Sequence, residues 1–559
     1  MFKNISKVMV LLAGTLAAFG GNPKVDKDLD KLNPESTVDV IIQYKQTPTG
    51  DHHKKVGDKG GRHKRDLEVI KAGLYEVPAK ALAGIANDPD VFAISPDRAV
   101  SATNDITVIT VGADIALTHG YDGTGIGVAV IDSGVSAVNT DLWSKRNSRV
   151  VYHQNFAGGV MDDLYGHGTH VAGILGGNAK NSIGLGSTRA LRGIAPMVNL
   201  IDLRVLDQNG IGTDSNVIAA INQAIALKST YNIRVINLSL GRPVRGSYTT
   251  DPLCQAVEAA WKAGIVVVVA AGNNGRDNSA GTNGYGTVTA PGNDPYVITV
   301  GAMKSTGTAY RADDLIASYS SKGPTGFDHI VKPDLVAPGN RIVSSLANSA
   351  SLDTTYPITG IPTIFYNFNG TSANSPYYFR LSGTSMAAPV VSGAAVLLLQ
   401  QDPSLTPDQV KARLMKTATK SFPSYSTATD PVTNVTYTSQ YDIFTIGAGY
   451  LDIWGALNNT DKAAGTALSP RAVFNASTNM VSVVYPQGVV WGSGVVWGSG
   501  VVWGSSTFVN GTGVVWGSGV VWGTRGSLFS TGVVWGSGVF WGAGQVAGEA
   551  TGIAINGEN

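Results

Sequence analysis

The sequence predicts an α/β fold: a three-layer sandwich around a mostly parallel central sheet. Two observations support this prediction. Continuous apolar runs, typical of strands buried on both faces, recur from about residue 105 onwards. Segments with helical periodicity separate these runs, as in folds that alternate strand and helix. A small α+β unit is predicted before this core, and a glycine- and tryptophan-rich, β-prone repeat region after it.

The N-terminal unit spans about 37–100. The segment 37–45 alternates like a strand, 80–88 has helical spacing, and 91–95 reads as a second strand. A basic segment, 51–65, lies between them. Nucleic-acid binding is one interpretation of that segment. We expect a solvated, protease-sensitive loop, because glycines interrupt the segment and no aromatic residues are interleaved with its charges.

The central part alternates predicted strands and helices. Sites in such sheets collect at the carboxyl ends of the strands, where Asp132 and the segment after Ala271 lie. The predicted strands are 126–132, 199–206, 234–240, 265–271 and 296–302, and the predicted helices are 214–228, 252–264 and 385–400.

The last hundred residues repeat the string GVVWGSG. Most adjacent tryptophans are six residues apart, and an even spacing keeps a consecutive run on one face of an extended strand. The many glycines exclude a stable helix. A disordered linker is the alternative, but we expect short strands that bury a shared face. The repeat tryptophans are Trp491, Trp497, Trp503, Trp516, Trp522, Trp535 and Trp541.

Composition and charge narrow the functional classes. The formal net charge is +1, so no global field attracts nucleic acid or an anionic membrane. Cys254 is the single cysteine, so no intrachain disulfide can form. Residues 1–20 read as a secretory signal, with Lys3 and Lys7 before an apolar run too short to span a bilayer. We therefore expect a secreted or cell-surface protein.

Three motifs carry candidate chemistry: AVIDSG at 129–134, HGTHVAG at 167–173 and GTSMAAP at 383–389. They supply an Asp, a His and a Ser, the groups that nucleophilic acyl transfer requires. Ser385 is the candidate nucleophile, because it opens an apolar helix whose free N–H groups favour a developing oxyanion. Ser372, in a second GTS string, has no apolar helix after it and is interpreted as a loop residue.

The other two motifs supply a base and its orienting group. His167 is the candidate general base, and Asp132 would hold its imidazole in the correct tautomer. His170 is the competing histidine and is interpreted as structural. A zinc pair formed by the two histidines lacks the glutamate and the third ligand of a zincin motif.

The three motifs, in the order Asp, His, Ser, resemble those of the subtilisin-like serine peptidases, the subtilases. The resemblance covers roughly 105–458, with a segment before it that is similar to subtilase propeptides. It implies a secreted, self-processing serine endopeptidase with the subtilisin-like fold. The predicted divisions are a signal peptide at 1–20, a propeptide at 21–103, a catalytic domain at 104–460 and a repeat tail at 461–559.

The resemblance also implies an oxyanion hole and a substrate cleft. Asn273 in AAGN matches the family's oxyanion-hole asparagine, with Asn274 as the competing candidate. Two backbone segments would hold an extended peptide between them as an added strand. Nothing charged lies in these segments, which favours an uncharged side chain at the cut site. The segments are Ser239, Leu240 and Gly241 on one side and Gly210, Ile211 and Gly212 on the other, with Thr289 on the pocket floor in place of the family's glycine.

The chemistry implied by the resemblance needs no cofactor and no catalytic metal. Asp141 and the loop 181–185 resemble a structural calcium site of the family. The chain departs from that pattern, because it inserts GSTRALR at 186–192 and offers no matching N-terminal ligand. Structural calcium is therefore an open expectation.

The expected partners are polypeptide substrates and the chain's own propeptide, and no nucleic acid. The tail could contact a cell surface or a glycan. A rival hypothesis is a catalytically vestigial surface-binding protein that acts through the tail, but the retention of Asp132, His167, Ser385 and Asn273 argues against it. Esterase or lipase chemistry is disfavoured because Ser385 lacks a GxSxG elbow.

Overall fold

The computed structural model describes residues 22, 24–26, 29, 33–34, 36–96, 103–104, 106–475, 480–484, 507–510, 513–516, 520–522 and 552–558. The predicted signal peptide, most residues around the predicted propeptide boundary at 103 and most of the tryptophan repeats lie outside them. The chain divides into two compact units, Met1–Ser101 and Ala102–Asn559.

The first unit is a four-stranded antiparallel sheet in the order β2-β3-β1-β4. Its core contains Val40 and Ile42 from one strand, Tyr75 and Val77 from another, and Ile85 from a helix. Its elements are β1 (Thr37–Tyr44), α1 (Gly50–Gly57), β2 (Arg62–Leu67), β3 (Ala72–Pro78), α2 (Leu82–Ala86) and β4 (Val91–Pro96).

The prediction of a loop over 51–65 is wrong. This segment contains helix α1 and most of strand β2. Strand β2 lies at the edge of the sheet and has no buried residue, so its sequence carries no apolar alternation. Helix α1 buries only His52 and Val56, one residue pair at helical spacing.

The second unit holds the candidate site. Its helices are α3 (Ile106–Thr110), α4 (Ala113–Thr118), α5 (His167–Gly176), α6 (Asp214–Ala226), α7 (Lys228–Tyr231), α8 (Pro252–Lys262), α9 (Ser351–Thr355), α10 (Thr384–Gln401), α11 (Pro407–Thr417) and α12 (Ile453–Leu457). Its strands are β5 (Thr103–Asn104), β6 (Gly127–Asp132), β7 (Trp143–Ser144), β8 (Asn147–Ser148), β9 (Val150–Asn155), β10 (Arg189–Ala190), β11 (Asn199–Arg204), β12 (Ile233–Leu238), β13 (Val266–Ala270), β14 (Ile298–Lys304), β15 (Leu315–Ile316), β16 (Leu335–Pro338), β17 (Ile342–Ser345), β18 (Gly360–Pro362), β19 (Asn374–Leu381), β20 (Tyr425–Thr429), β21 (Thr436–Gln440), β22 (Arg471–Asn475), β23 (Met480–Val484), β24 (Thr507–Asn510), β25 (Gly513–Trp516) and β26 (Val520–Trp522).

The central sheet has the order β15-β14-β13-β12-β6-β11-β9, with β16 also paired to β14. All pairs are parallel except β14–β15. Every residue of β6, β13 and β14 is buried, and successive strand residues face opposite sides, so both faces of the sheet are covered. Helices α6 and α8 pack together, as do α5 and α10. The predicted α/β class is confirmed.

Helix α10 is the central buried helix. Its length and composition would suit a membrane span, but 83% of its apolar window is buried inside the protein, which is typical of a core helix. It begins at Thr384, so Pro389 is its sixth residue and lies beyond the first turn. The N–H that proline lacks would otherwise have bonded the carbonyl of Ser385.

The packing of the second unit continues past residue 460. The N–H of Ala467 donates to Asp408 Oδ1 at 2.7 Å, and Ser469 Oγ donates to Asp334 Oδ1 at 2.5 Å. Strands β22 to β26 form an antiparallel sheet in sequence order. The register pairs Trp516 with Val520 and Val514 with Trp522, so positions 516 and 522 share one face of this ladder.

The C-terminal segment 552–558 returns to the same core. Ile553 and Ile555 are buried, and the N–H of Ser382 donates to the carbonyl of Ala554 at 2.9 Å. Glu558 is 1% exposed and pairs with Arg276 at 2.7 Å. The last described residues are therefore part of the folded second unit.

Candidate active site

The strand order places four strand ends side by side, in the order β11, β6, β12, β13. The residues predicted from the sequence follow these ends. Gly210 comes after β11, Asp132 ends β6, Ser239 follows β12 and Asn273 follows β13. Residues far apart in the chain are thus gathered at one edge of the sheet, as expected for a parallel sheet.

Asp132 and His167 form a hydrogen-bonded pair. Asp132 is fully buried, and its Oδ1 lies 2.8 Å from Nδ1 of His167, whose side chain is 13% exposed. Burial lowers the pKa of His167, but the charge and the hydrogen bond of Asp132 raise it, and the net pKa lies above its ordinary value. The bond to Nδ1 leaves Nε2 as the ring nitrogen for proton transfer.

Asp163 holds the start of the helix that carries His167, and the sequence analysis missed it. Its carboxylate accepts the N–H groups of Gly166 and Thr169, each at 2.8 Å, and the hydroxyl of Ser133 at 2.8 Å. No helix was predicted over 167–176, and Asp163 lies three residues before the N-cap residue Gly166, so a capping pattern gives no signal for it.

Gly168, the glycine of the HGTH motif, is required by close packing. A Cβ at this position would lie 2.1 Å from the carbonyl oxygen of Gly134 in the loop after Asp132. The missing side chain therefore lets helix α5 approach the end of β6 closely enough for His167 to reach Asp132.

Ser385 is the second residue of α10 and is held by two bonds to Ser239. Its Oγ donates to the Ser239 carbonyl at 3.2 Å, and Ser239 Oγ donates to the Ser385 carbonyl at 2.8 Å. The second bond satisfies the carbonyl that Pro389 leaves without a helical donor. Within the described residues, Ser385 Oγ makes no hydrogen bond to His167, and such bonds are often loose without substrate.

Asn273 is oriented by the residue before Ser385. Its Oδ1 accepts the N–H of Thr384 at 2.9 Å and the hydroxyl of Thr384 at 3.1 Å. No described residue accepts a hydrogen bond from its Nδ2. A Cβ on Gly383, at φ +146°, would lie 3.1 Å from that nitrogen, so glycine keeps the space beside the amide open.

His170 lies on α5, three residues after His167, and is fully buried. Its Nε2 lies 3.0 Å from the carbonyl oxygen of Ile342, and its ring meets Phe379 edge-on. Burial and the neighbouring His167 lower the pKa of His170 to about 3. A neutral ring that donates to a buried carbonyl is consistent with a structural residue.

Each predicted substrate segment contains exposed residues. Gly241 is exposed on one side, and Ile211 and Gly212 on the other, with Ile211 66% exposed. Leu240 is half-buried against the core. The turn before Ile211 is fixed by Asp207, whose carboxylate accepts the Ile211 N–H at 3.0 Å.

Thr289, predicted on the pocket floor, lies directly against Gly241 and Gly272. It is 8% exposed, and its N–H donates to the carbonyl of Ala271 at 3.0 Å. A Cβ on Gly241 would lie 2.5 Å from Thr289 Oγ1, and one on Gly272 would lie 2.9 Å from Thr289 Cγ2. The threonine side chain thus occupies space between these two glycines.

Asp141, the expected calcium ligand, already has protein donors on both carboxylate oxygens. Oδ1 accepts the N–H of Asn181 at 2.8 Å, and Oδ2 accepts the hydroxyl of Tyr378. The guanidinium of Arg149 donates to the Asp141 carbonyl at 2.9 Å. Each carboxylate oxygen thus has one protein donor and keeps a further lone pair, so these contacts neither form nor block a calcium site, and structural calcium stays an expectation.

Comparisons with known proteins identify the family. The profile of the subtilase family, peptidase S8, matches residues 123–440. Serine protease AprX of Bacillus subtilis is 33% identical over 404 residues, covering 70% of this chain and 84% of that protein. Subtilisin E of Bacillus subtilis is 32% identical over 388 residues, covering 68% and 84%. An extracellular serine proteinase of Thermus sp. strain Rt41A is 33% identical over 377 residues, covering 66% and 75%.

The α/β fold, the residues gathered at the ends of β11, β6, β12 and β13, and the sequence relatives together define the class of protein. The chain belongs to the subtilase family, and it is a serine endopeptidase.

Proposed function

We propose that Asp132, His167 and Ser385 form the catalytic triad of a secreted endopeptidase that processes itself. The observation that carries this proposal is the 2.8 Å bond between His167 Nδ1 and the buried Asp132, which ends strand β6. Strand β6 lies beside β12, and Ser239, which follows β12, is bonded to Ser385. That bond fixes the imidazole tautomer in which Nε2 can accept a proton.

In this mechanism Ser385 Oγ leaves the Ser239 carbonyl and attacks the scissile carbonyl carbon. His167 Nε2 takes the hydroxyl proton, and the resulting imidazolium is stabilised by Asp132. The tetrahedral oxyanion accepts hydrogen bonds from Asn273 Nδ2 and from the backbone N–H of Ser385 at the start of α10. His167 then donates the proton to the leaving amine, and water hydrolyses the acyl-enzyme.

Polypeptide substrates would bind as an added strand between Gly210–Gly212 and Ser239–Gly241. The exposure of Ile211 and Gly212 on one side and of Gly241 on the other supports this placement. The position of Thr289 against Gly241 and Gly272 supports a shallow pocket for a small or medium uncharged side chain.

Residues 21–103 would act as an inhibitory propeptide that the enzyme removes from itself. The separate fold of the first unit supports this role. The chain should be cut between about 100 and 105, and the Ser385→Ala precursor should keep its N-terminal segment. Mass spectrometry of the mature terminus checks this, and a terminus near Asp132 would contradict it.

A serine-directed phosphonate tests the nucleophile. Wild-type protein should be labelled at Ser385, and Ser385→Ala should lose labelling and lower the rate by roughly 10⁴ to 10⁶-fold with folding intact. Ser372→Ala is the matched control, because Ser372 lies in an exposed loop with the same GTS string. Loss of activity in Ser372→Ala with retention in Ser385→Ala would overturn the assignment.

A further inference from the structure

The basic segment of the first unit brings two histidines and an aspartate together. His53 lies on α1, and His63 and Asp66 lie on β2. One candidate ligand atom from each residue lies within 4.8 Å of the other two. None of these three side chains has a role in the proposed peptidase mechanism.

Both imidazoles converge on one carboxylate oxygen. Asp66 Oδ1 lies 3.0 Å from Nε2 of His63 and 3.4 Å from Nε2 of His53. Ligand atoms around a tetrahedral zinc ion lie about 3.3 Å apart, since each is about 2.0–2.1 Å from the metal. Two of the three required separations are therefore already present.

A buried tyrosine pair orients the His53 ring. Nδ1 of His53 lies 2.9 Å from the hydroxyl of Tyr75, which accepts the hydroxyl of Tyr44 at 3.2 Å. Tyr75 is fully buried and Tyr44 nearly so. A hydrogen bond to the second ring nitrogen is the usual support of a metal-binding histidine, because it directs the other nitrogen toward the metal.

His52, the neighbouring histidine, has a different local role. Its Nδ1 accepts the N–H of Thr49 at 3.1 Å and completes the capping box of α1. It is nearly buried, whereas the side chains of His53, His63 and Asp66 are 22%, 30% and 45% exposed. The three-residue cluster is therefore open to an ion from solvent.

The nearby cations are paired with other acids. Lys55 pairs with Asp88 at 3.0 Å, and Lys64 pairs with Asp39 at 2.6 Å. Within the described residues, Asp66 has no lysine or arginine partner and faces only the two imidazoles. The negative charge of Asp66 is therefore available to a metal cation that the two histidine nitrogens can also coordinate.

We propose that His53, His63 and Asp66 bind one zinc-class divalent transition metal, with water completing the coordination. Two imidazoles with one carboxylate suit Zn²⁺ or Co²⁺ and not Ca²⁺ or Mg²⁺, which prefer oxygen ligands. The metal would join α1 to the edge strand β2 and so stabilise the folded first unit.

The test uses the full-length Ser385→Ala chain, which is expected to stay unprocessed, purified without a polyhistidine tag. Isothermal titration with Zn²⁺ should show one site per chain, and Co²⁺ should give a tetrahedral visible spectrum that Zn²⁺ abolishes. Tyr75→Phe should weaken binding roughly 10–100-fold, and His63→Gln and Asp66→Asn at least as much. The control His119→Gln, which changes a histidine of the second unit, should bind like the parent.

Zinc should also slow amide hydrogen exchange in α1 and β2 of the parent, and not in His63→Gln. Equal zinc affinity in the parent and His63→Gln would overturn the proposal, as would the absence of binding at millimolar Zn²⁺. In that case the three side chains form only a hydrogen-bonded network.

A consequence for activation rests on the proposed function of the first unit as an inhibitor. A zinc-bound unit should unfold less often, so saturating Zn²⁺ should slow the appearance of activity in wild-type precursor and not in the His63→Gln precursor. Mature enzyme assayed with the same Zn²⁺ controls for direct inhibition. Equal activation rates in a precursor that binds zinc would refute the regulatory role, and they would leave the triad untouched.

Discussion

At the residue scale, the buried Asp132 sets the protonation of His167. Burial alone would lower the histidine pKa, and the charge and hydrogen bond of Asp132 reverse that effect. In the proposed mechanism His167 must be neutral to accept the serine proton, so activity should be lost as the pH falls through this raised pKa. The acid limb of kcat/KM should therefore lie above the ordinary histidine value of about 6.5.

Asp132→Asn should move that acid limb to lower pH while it lowers the rate by about 10⁴-fold. The amide removes the negative charge that favours the imidazolium. The pKa of His167 is therefore lower in the variant, which keeps its remaining activity to a lower pH than the wild type does. A pH profile of kcat/KM for both proteins measures the shift. An acid limb that stays in place in Asp132→Asn would show that another group controls it.

At the element scale, the start of α10 is bonded to Ser239, the residue that follows strand β12. Ser239 Oγ supplies the donor that Pro389 cannot give to the Ser385 carbonyl. Ser239→Ala should leave this carbonyl without a partner and lower the free energy of unfolding by about 1 kcal/mol. Denaturant titration measures the change.

Pro389→Ala offers a rescue of the same element. Alanine restores an N–H four residues after Ser385, so the double variant Ser239→Ala/Pro389→Ala should recover part of the lost stability. Pro389→Ala alone is the matched control. Simple additivity of the two single changes would mean that the Ser385 carbonyl is not the group at issue.

Buried elements could be predicted from the sequence, whereas an exposed edge strand could not. The central strands and α10 were predicted within a few residues, because their apolar runs are long and buried on all sides. Strand β2 was missed because it is an exposed edge strand without apolar alternation. Asp163 carries no capping signal, because the N-cap residue of α5 is Gly166. The hydrogen bond from Tyr378 to Asp141 could not be predicted either, since the tyrosine lies 237 residues away in the sequence.

At the scale of the whole molecule, the end of the chain is tied to the loop that carries Asn273. Glu558 Oε1 accepts from Nη2 of Arg276 at 2.7 Å and from the N–H of Ser318 at 2.9 Å. Asn340 holds the backbone of Glu558 through two bonds, at 2.8 and 2.9 Å. The segment 552–558 is thus an anchor that returns the chain to the catalytic unit after the repeats.

Glu558→Gln should therefore destabilise the protein although it changes one atom near the C-terminus. The substitution neutralises one of the two carboxylates that pair with the buried Arg276, and a hydrogen bond to a charged group contributes about 1.5–3 kcal/mol. Glu258→Gln is the matched control, because Glu258 pairs with Lys262 at the surface and should cost less than about 1 kcal/mol. Denaturant unfolding in the Ser385→Ala background avoids self-digestion. Equal stability of the two variants would show that the last residues are not anchored in solution, and removal of 552–559 would then also leave the unfolding midpoint unchanged.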